Sequence, residues 1–225
     1  MEEKYQKIKE IVEKELSCSA HNMEHVIRVY NMCLHLAEDE SDVDLDILKT
    51  SALLHDIARA QEDKDDTGNI DHAILGAEMA ENILKNFSYS KDKIEAIKHS
   101  IIAHRFRSGN EQKTKEAKIL FDADKLDVIG SIGIARSFMI AGQYREKMFS
   151  NVPVDKYIKD NLVDGKPNGR IKVIAKHAPN LEFETKFIHI PNRLFTEKAK
   201  LIGEQRINFM KQFFDILSKN INSKL

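Results

Sequence analysis

SALLHDIAR, residues 51–59, places two polar side chains inside a segment that otherwise reads as a buried helix. His55 and Asp56 follow an apolar run and precede Ile57 and Ala58. Burial of a lone carboxylate costs several kcal/mol of hydration, so Asp56 needs a charged partner, a proton or a metal ion. The pair therefore marks a candidate functional site in a helical core.

The composition is that of an ordinary globular protein, with 42% hydrophobic and 32% charged residues among 225. Its net charge of -1 provides no overall attraction to nucleic acid or anionic lipid. The N-terminal stretch MEEKYQKIKE is charged, unlike a signal peptide, and no apolar run approaches the roughly 20 residues of a membrane span. Cys18 and Cys33 lack metal-ligand spacing and suit a reducing compartment. We therefore expect a cytoplasmic protein that binds neither membrane nor nucleic acid.

Apolar residues recur at helical spacing through the first two-thirds of the chain. The pattern predicts an all-α fold with helices near residues 2–16, 20–38, 44–59, 71–86, 91–105, 112–126 and 128–142, and with Ser90 as a helix cap. Proline and glycine interrupt residues 151–192, and the alternation in LEFETKFIHI, residues 181–190, is typical of a half-buried strand. We predict a small irregular or β-hairpin insertion there, followed by a closing amphipathic helix near residues 195–219. The whole chain, 1–225, is expected to form one domain around a helical core near 18–142.

Histidine and aspartate side chains recur within or beside these apolar stripes. They are His21, His25, His55, Asp56, His72, His99, His104, Asp122, Asp124 and Asp127. A group of imidazoles and carboxylates is a mixed nitrogen and oxygen ligand set, which suits Mn, Fe, Co, Ni or Zn, whereas Mg is less well matched. A hydrogen-bonded core network is the alternative for any single histidine. Spacing alone does not choose among the three later aspartates.

Three motifs follow one another along the chain: His25 within HNMEHVIRVY, the pair His55-Asp56, and Asp124 within DADKLDVIGSIGIARSF. Their order resembles the H…HD…D signature of the HD-domain superfamily of metal-dependent phosphohydrolases. The flanks resemble the H-x-x-x-H-x-x-R-V and DAD-[KR]-LD-x-x-G-x-x-G-x-x-R motifs of one bacterial and archaeal subgroup. The resemblance covers residues 18–142 well and 195–217 moderately, and it departs at Asn22, where aspartate is common. It implies metal ligation by His25, His55, Asp56 and Asp124.

The resemblance also implies a reaction, namely hydrolysis of a phosphoester or phosphoanhydride of a small phosphorylated metabolite. A nucleotide is the favoured substrate, and the subgroup points to nucleoside triphosphate pyrophosphohydrolysis. Asp56 is expected to orient the attacking water, and His72 and His104 to contact substrate or transfer a proton, although some family members use such histidines for a second metal. Positive charge for the phosphate oxygens is assigned to Arg28, Arg59 and Lys125, with Arg136 as a weaker candidate.

Each of these assignments has a structural alternative. Arg59 can pair with Glu62 or Asp63 instead of substrate, and His104 can interact with a helix dipole. For the whole protein, the alternative function is a catalytically silent nucleotide-binding or regulatory HD module. A homo-oligomer is compatible with the sequence.

Overall fold

The computed structural model describes residues 2–16, 23–105, 109–167 and 169–224. The fold is all-α, as predicted. Within these ranges the structure has no β-sheet, and extended residues pair only in an isolated antiparallel bridge between Leu162 and Ile171. The sequence-based remarks on Cys18, His21 and Asn22 fall outside the described residues.

Two compact units, Met1–Asp124 and Lys125–Leu225, divide the chain. The first unit holds α1 (Glu3–Glu15), α2 (Met23–Ala37), α3 (Leu45–Leu54), α4 (Arg59–Asp63), α5 (His72–Leu84), α6 (Lys91–Ala103) and most of α7 (Lys115–Asp127). Helix α3 packs against α1, α2 and α6, and α5 packs against α6. Ser90 caps α6 by accepting a hydrogen bond from the Lys93 amide, as predicted. The core helices thus surround α3, which leads into the His55-Asp56 pair.

A half-buried carboxylate ties α3 to its neighbours. Asp46 accepts hydrogen bonds from Tyr5 Oη at 2.9 Å, Tyr89 Oη at 2.8 Å and Lys93 Nζ at 3.1 Å, and it also binds Lys4. Burial alone would raise the pKa of Asp46, but these donors hold it well below its usual range. Asp46 therefore anchors the start of α3 to α1 and to the segment that enters α6.

Helix α3 is shorter than the sequence predicts. It ends at Leu54, so the predicted continuous helix to residue 59 is wrong. His55 donates from Nδ1 to the Ala52 carbonyl oxygen at 2.9 Å, and the Arg59 amide bonds the Asp56 carbonyl oxygen three residues back. The histidine satisfies a carbonyl of the last helical turn, and the chain continues in tight turns. His55 and Asp56 therefore lie at a bend, where both side chains can turn toward one side.

The second unit contains the remaining described α-helices. These are α8 (Gly130–Tyr144), α9 (Val154–Asn161), α10 (Pro179–Thr185) and α11 (Glu197–Ile221), with short 3-10 turns at Val163–Gly165, Ile174–Lys176, Phe187–His189 and Pro191–Arg193. Helix α11 packs against α8, and α10 packs against α8 and α9. The Thr196 hydroxyl caps α11 by accepting from the Ala199 amide. The predicted closing helix is therefore present.

The strand expected from residues 181–190 is wrong, because this segment forms α10 and a 3-10 turn. Pro179 begins the helix with a backbone angle suited to a first turn. Phe183 packs its ring 5.2 Å from that of Phe214 on α11, and the Thr185 hydroxyl donates to the Leu181 carbonyl. A short helix satisfies its own backbone polar groups, whereas a lone strand has no partner for them. The described part of residues 151–192 therefore forms two short helices and several 3-10 turns, and the predicted hairpin is wrong.

The G-x-x-G-x-x-R motif has a structural role in the second unit. Gly130 opens α8 with φ +77, a left-handed conformation that favours glycine. A Cβ at Gly133 would lie 2.3 Å from the Val128 carbonyl oxygen, so only glycine fits this close approach. Arg136 donates to buried Asp127 at 2.7 Å. The arginine that was a weaker phosphate-binding candidate thus forms an ion pair instead.

Candidate metal centre

Four side chains from two helices and one turn meet in the first unit. His25 lies in the first turn of α2, His55 and Asp56 follow α3, and Asp124 lies on α7. His25 Nε2 is 3.3 Å from His55 Nε2, 3.6 Å from Asp56 Oδ2 and 3.4 Å from Asp124 Oδ1. His55 Nε2 is 3.7 Å from the same oxygen of Asp56. The four predicted ligands are thus gathered, and all are buried.

The other oxygen of Asp56 faces a second pair of histidines. Its Oδ1 lies 3.4 Å from His72 Nε2 and 3.6 Å from His104 Nε2, and these two nitrogens are 3.3 Å apart. His72 is the first residue of α5, and His104 is the C-cap residue directly after α6. Asp56 therefore stands between two groups of imidazoles, one on each carboxylate oxygen.

The spacing of these atoms fits a bound cation. Ligand atoms that bind one transition-metal ion at about 2.1 Å lie roughly 3.0–3.4 Å from one another in common geometries. The separations around His25 are close to this range. Two triads, His25-His55-Asp56 and Asp56-His72-His104, each place their ligand atoms within 4.8 Å of one another. Both donor sets match the mixed nitrogen and oxygen ligands predicted from the sequence.

Two histidines are held in the protonation form that binds a cation. His55 Nδ1 lies 2.9 Å from the Ala52 carbonyl oxygen, and His104 Nδ1 lies 2.5 Å from that of Ile101. A carbonyl oxygen only accepts, so each ring carries its proton on Nδ1 and turns the Nε2 lone pair toward the cluster. Burial lowers the pKa of His55 to about 4, which keeps its ring neutral at pH 7.

Electrostatics favour an ionised Asp56 at the centre of the cluster. Burial by itself would raise the pKa of this carboxyl, but His55, His104, His25 and His72 hold it well below its usual range. Burial also lowers the pKa of His72, against the opposing effect of Asp56. An anionic carboxylate beside the neutral rings of His55 and His72 is an environment that a divalent cation neutralises.

The three basic side chains predicted to bind phosphate lie in different surroundings. Arg59 forms ion pairs with Glu62 at 3.0 Å and Asp63 at 3.2 Å, and its Nη1 lies 3.3 Å from His72 Nδ1. Arg59 therefore forms, beside the cluster, the ion pairs that were the alternative to substrate binding. Arg28 on α2 and Lys125, directly after Asp124 on α7, are half-buried.

Glu62 and Arg105 are polar neighbours of the site that the sequence reasoning did not assign to it. Glu62 Oε2 lies 2.5 Å from His72 Nδ1, and its Oε1 accepts from Arg105 Nη2 at 2.7 Å. Neither position carries a recognisable signal, because Glu62 lies in a charged segment and Arg105 directly follows a histidine. The packing of α4 and α6 against α5 brings them to the cluster.

Other histidines lie outside the cluster. His99 Nε2 accepts from the Lys113 amide at 3.2 Å. His35 is half exposed and pairs with Glu38. His177 is buried in the second unit against Tyr157.

A sequence profile of the HD domain matches residues 22–129, which include all six histidines and aspartates of the cluster. The chain belongs to the HD-domain superfamily. The chain has 26% sequence identity to Bacillus subtilis YpgQ, whose crystal structure was solved in complex with ADP. The two structures match with a TM-score of 0.70 over 96% of this chain and 97% of that one. An HD-superfamily hydrolase from Bacillus thuringiensis is 25% identical, with a TM-score of 0.69 over 97% and 95% of the two chains. This HD-domain protein thus shares the fold of HD-superfamily hydrolases along nearly its whole length.

A curated relative carries less information about function. The uncharacterized protein YpgQ of Bacillus subtilis is 28% identical over 207 residues, which are 90% of this chain and 85% of the relative.

Across the described residues of this HD-domain protein, every helix is too short or too polar to cross a membrane.

Proposed function

We propose that this HD-domain protein is a metal-dependent phosphohydrolase that cleaves a phosphoester or phosphoanhydride of a small phosphorylated metabolite. The observation that carries the proposal is the convergence of His25, His55, Asp56 and Asp124, with His25 Nε2 3.3–3.6 Å from the other three. A nucleotide is the proposed substrate class, because a relative with 26% identity and the same fold was crystallised with ADP. Pyrophosphohydrolysis of a nucleoside triphosphate is the specific reaction that we propose.

These four residues would hold one divalent ion, with Mn, Fe, Co, Ni or Zn favoured and Mg less well matched. Such an ion supplies Lewis acidity, which lowers the pKa of water and stabilises negative charge on a phosphoryl oxygen. The chain contributes a neutral His55 ring and an ionised Asp56, so no proton has to leave these two side chains before an ion binds.

The remaining side chains have roles in proton transfer. In the hydrolysis, the water oxygen bonds to phosphorus, the bond from phosphorus to the leaving oxygen breaks, and that oxygen gains a proton. Asp56 accepts a hydrogen bond from the attacking water and orients it. The attacking water loses a proton, which His72 Nε2 and His104 Nε2, 3.3 Å apart, take up between them and deliver to the leaving oxygen.

Positive charge near the cluster would bind the phosphate oxygens. Arg59 reaches substrate by exchanging one of its carboxylate partners, Glu62 or Asp63, for a phosphate oxygen. Arg28 and Lys125 are proposed as further contacts. Mutation of Arg59 should therefore raise KM more than it lowers kcat.

The test is hydrolysis by purified protein with Mn, Co, Ni, Zn or Mg, assayed against nucleoside mono-, di- and triphosphates and simple phosphoesters. Phosphorus NMR in water enriched in ¹⁸O identifies the product that gains the label, and so the bond that breaks. Release of pyrophosphate supports the pyrophosphohydrolase, whereas release of orthophosphate alone would replace it with a phosphatase. Activity should disappear in His55→Gln and Asp124→Asn.

A matched control is His35→Gln, which alters an exposed histidine outside the cluster. It should retain wild-type turnover and metal content. Metal stoichiometry separates two outcomes: one ion per chain supports the proposed ligand set, and two ions would assign His72 and His104 to a second ion. Nucleotide binding without turnover, with any metal, would favour the silent regulatory module instead.

A further inference from the structure

We infer that Glu62 is a positioning residue that fixes the ring proton of His72 and so the direction of its Nε2 lone pair. The inference rests on the proposed function, because it assigns His72 to the same site. Glu62 itself reaches neither Asp56 nor the His25-His55 pair in any contact described above. It acts through His72.

The Glu62 carboxylate contacts three basic side chains. Its Oε2 lies 2.5 Å from His72 Nδ1 and 3.0 Å from Arg59 Nη1, and its Oε1 lies 2.7 Å from Arg105 Nη2. The Glu62 side chain is 18% exposed, so solvent competes weakly with these partners. Two guanidinium groups therefore hold the carboxylate in place while it accepts from the imidazole.

Arg105 links this network to the backbone that carries His72. Its second nitrogen, Nη1, lies 2.7 Å from Asp71 Oδ1. The same Asp71 oxygen caps α5 by accepting from the Ala73 amide at 2.9 Å. Arg105 directly follows His104 at the end of α6. One guanidinium group therefore connects the helix end that presents His104 with the helix start that presents His72.

The position of the ring proton decides what His72 presents to the site. With the proton on Nδ1 and donated to Glu62, the Nε2 lone pair points toward His104 Nε2 at 3.3 Å and Asp56 Oδ1 at 3.4 Å. Without the carboxylate acceptor, a proton on Nε2 becomes favourable, since it can be donated to Asp56 Oδ1. In that tautomer Nε2 has no lone pair, so it can neither take up a proton from water nor bind a cation. A carboxylate behind a ligating or catalytic imidazole commonly prevents this change.

The experiment measures the tautomer directly. Long-range ¹H–¹⁵N NMR spectra of metal-free protein at pH 8, where the ring is neutral, distinguish a proton on Nδ1 from one on Nε2, and His72→Gln assigns the signal. Wild type should show the Nδ1–H form. Glu62→Gln, which keeps the shape and removes the charge, should shift a large fraction to the Nε2–H form, and Glu62→Ala should shift more.

Kinetics supply the second readout. Glu62→Gln should lower kcat about 10- to 100-fold, the usual effect of losing such a partner, while KM changes less than about 3-fold. The matched control is Asp63→Asn, which removes the neighbouring carboxylate that pairs with Arg59 Nε at 3.2 Å. This control should keep the wild-type tautomer. Arg105→Lys, which cannot bridge Glu62 and Asp71, should give a smaller shift in the same direction and serves if the Glu62 variants fail to fold.

The possible outcomes separate this inference from the proposed function. If wild type hydrolyses no substrate but the tautomer shifts in Glu62→Gln, the proposed reaction is wrong and the positioning role stands. If His72 keeps the Nδ1–H form in Glu62→Gln, Glu62→Ala and Arg105→Lys, the inference is overturned, whatever the activity. A wild-type ring already in the Nε2–H form overturns it as well.

Discussion

Two glycines of helix α8 are expected to respond in opposite ways to the same substitution. A Cβ at Gly133 would lie 2.3 Å from the Val128 carbonyl oxygen and 2.7 Å from its carbon, closer than real Cβ contacts come. The atoms in the way are backbone, so the clash cannot be relieved by a side-chain rotation. Overpacking of this kind costs about 1–3 kcal/mol, and the gain in helix propensity from alanine offsets up to about 1 kcal/mol of it.

Gly142 is the control in the same helix, because a Cβ there would have no heavy atom within 4 Å. Gly142→Ala should therefore stabilise the protein by about 0.5–1 kcal/mol through helix propensity alone. We expect Gly133→Ala to lower the urea midpoint, followed by circular dichroism at 222 nm, and Gly142→Ala to raise it. The free energies of unfolding of the two variants should differ by roughly 1–3 kcal/mol, which is about 1 M in urea midpoint. A Gly133→Ala protein at least as stable as wild type would refute the reasoning.

Three further predictions concern metal and pH. Mn²⁺ at 100 times its dissociation constant should stabilise the protein by about 2.7 kcal/mol and raise Tm by roughly 5–10 °C in thermal scans. The Asp124→Asn variant should lose most of this shift. An equal shift in both proteins would exclude Asp124 as a ligand. Burial holds the pKa of His177 below its usual value, and its Nδ1 lies 2.6 Å from Tyr157 Oη. Because the unfolded chain binds this proton more readily, the free energy of unfolding should fall as the pH drops below about 6.5. His177→Gln should weaken this dependence in urea midpoints between pH 7.5 and 5, and a parallel loss in both proteins would contradict it. Asp46→Asn should cost about 1–3 kcal/mol at pH 7, and because the folded pKa of Asp46 is depressed, the difference from wild type should shrink as the pH falls below about 4; a constant difference would assign the effect to shape alone.

Local sequence pattern was a sound guide where one helix face is apolar along its whole length. Helix α2 keeps Val26, Val29 and Cys33 fully buried on the predicted stripe. The same pattern misjudged the end of α3, because Ile57 and Ala58 are also fully buried although they lie in turns. Apolar periodicity reports burial, and burial continues past the residue at which the helix ends. The bend depends on the bond from His55 to the Ala52 carbonyl, which periodicity does not register.

The alternation in residues 181–190 misled for a related reason. Leu181, Phe183 and Thr185 are all buried, as the strand pattern requires. The same three side chains are buried in a helix of seven residues, because α10 packs against α8 and α9 and its Phe183 reaches α11. In so short an element the two periods are not distinguishable, and tertiary packing chooses between them.

The sequence by itself determined the family, the all-α class and the identity of the side chains that meet in the cluster, because the H…HD…D order and its flanks are local features of the chain. Only the tertiary structure decided that the two oxygens of Asp56 face different pairs of histidines, and that Glu62 and Arg105 stand behind His72. The physical reason is distance along the chain. His25 and Asp124 are separated by 99 positions, and contacts of a few ångströms between such residues depend on how helices pack and where each one ends.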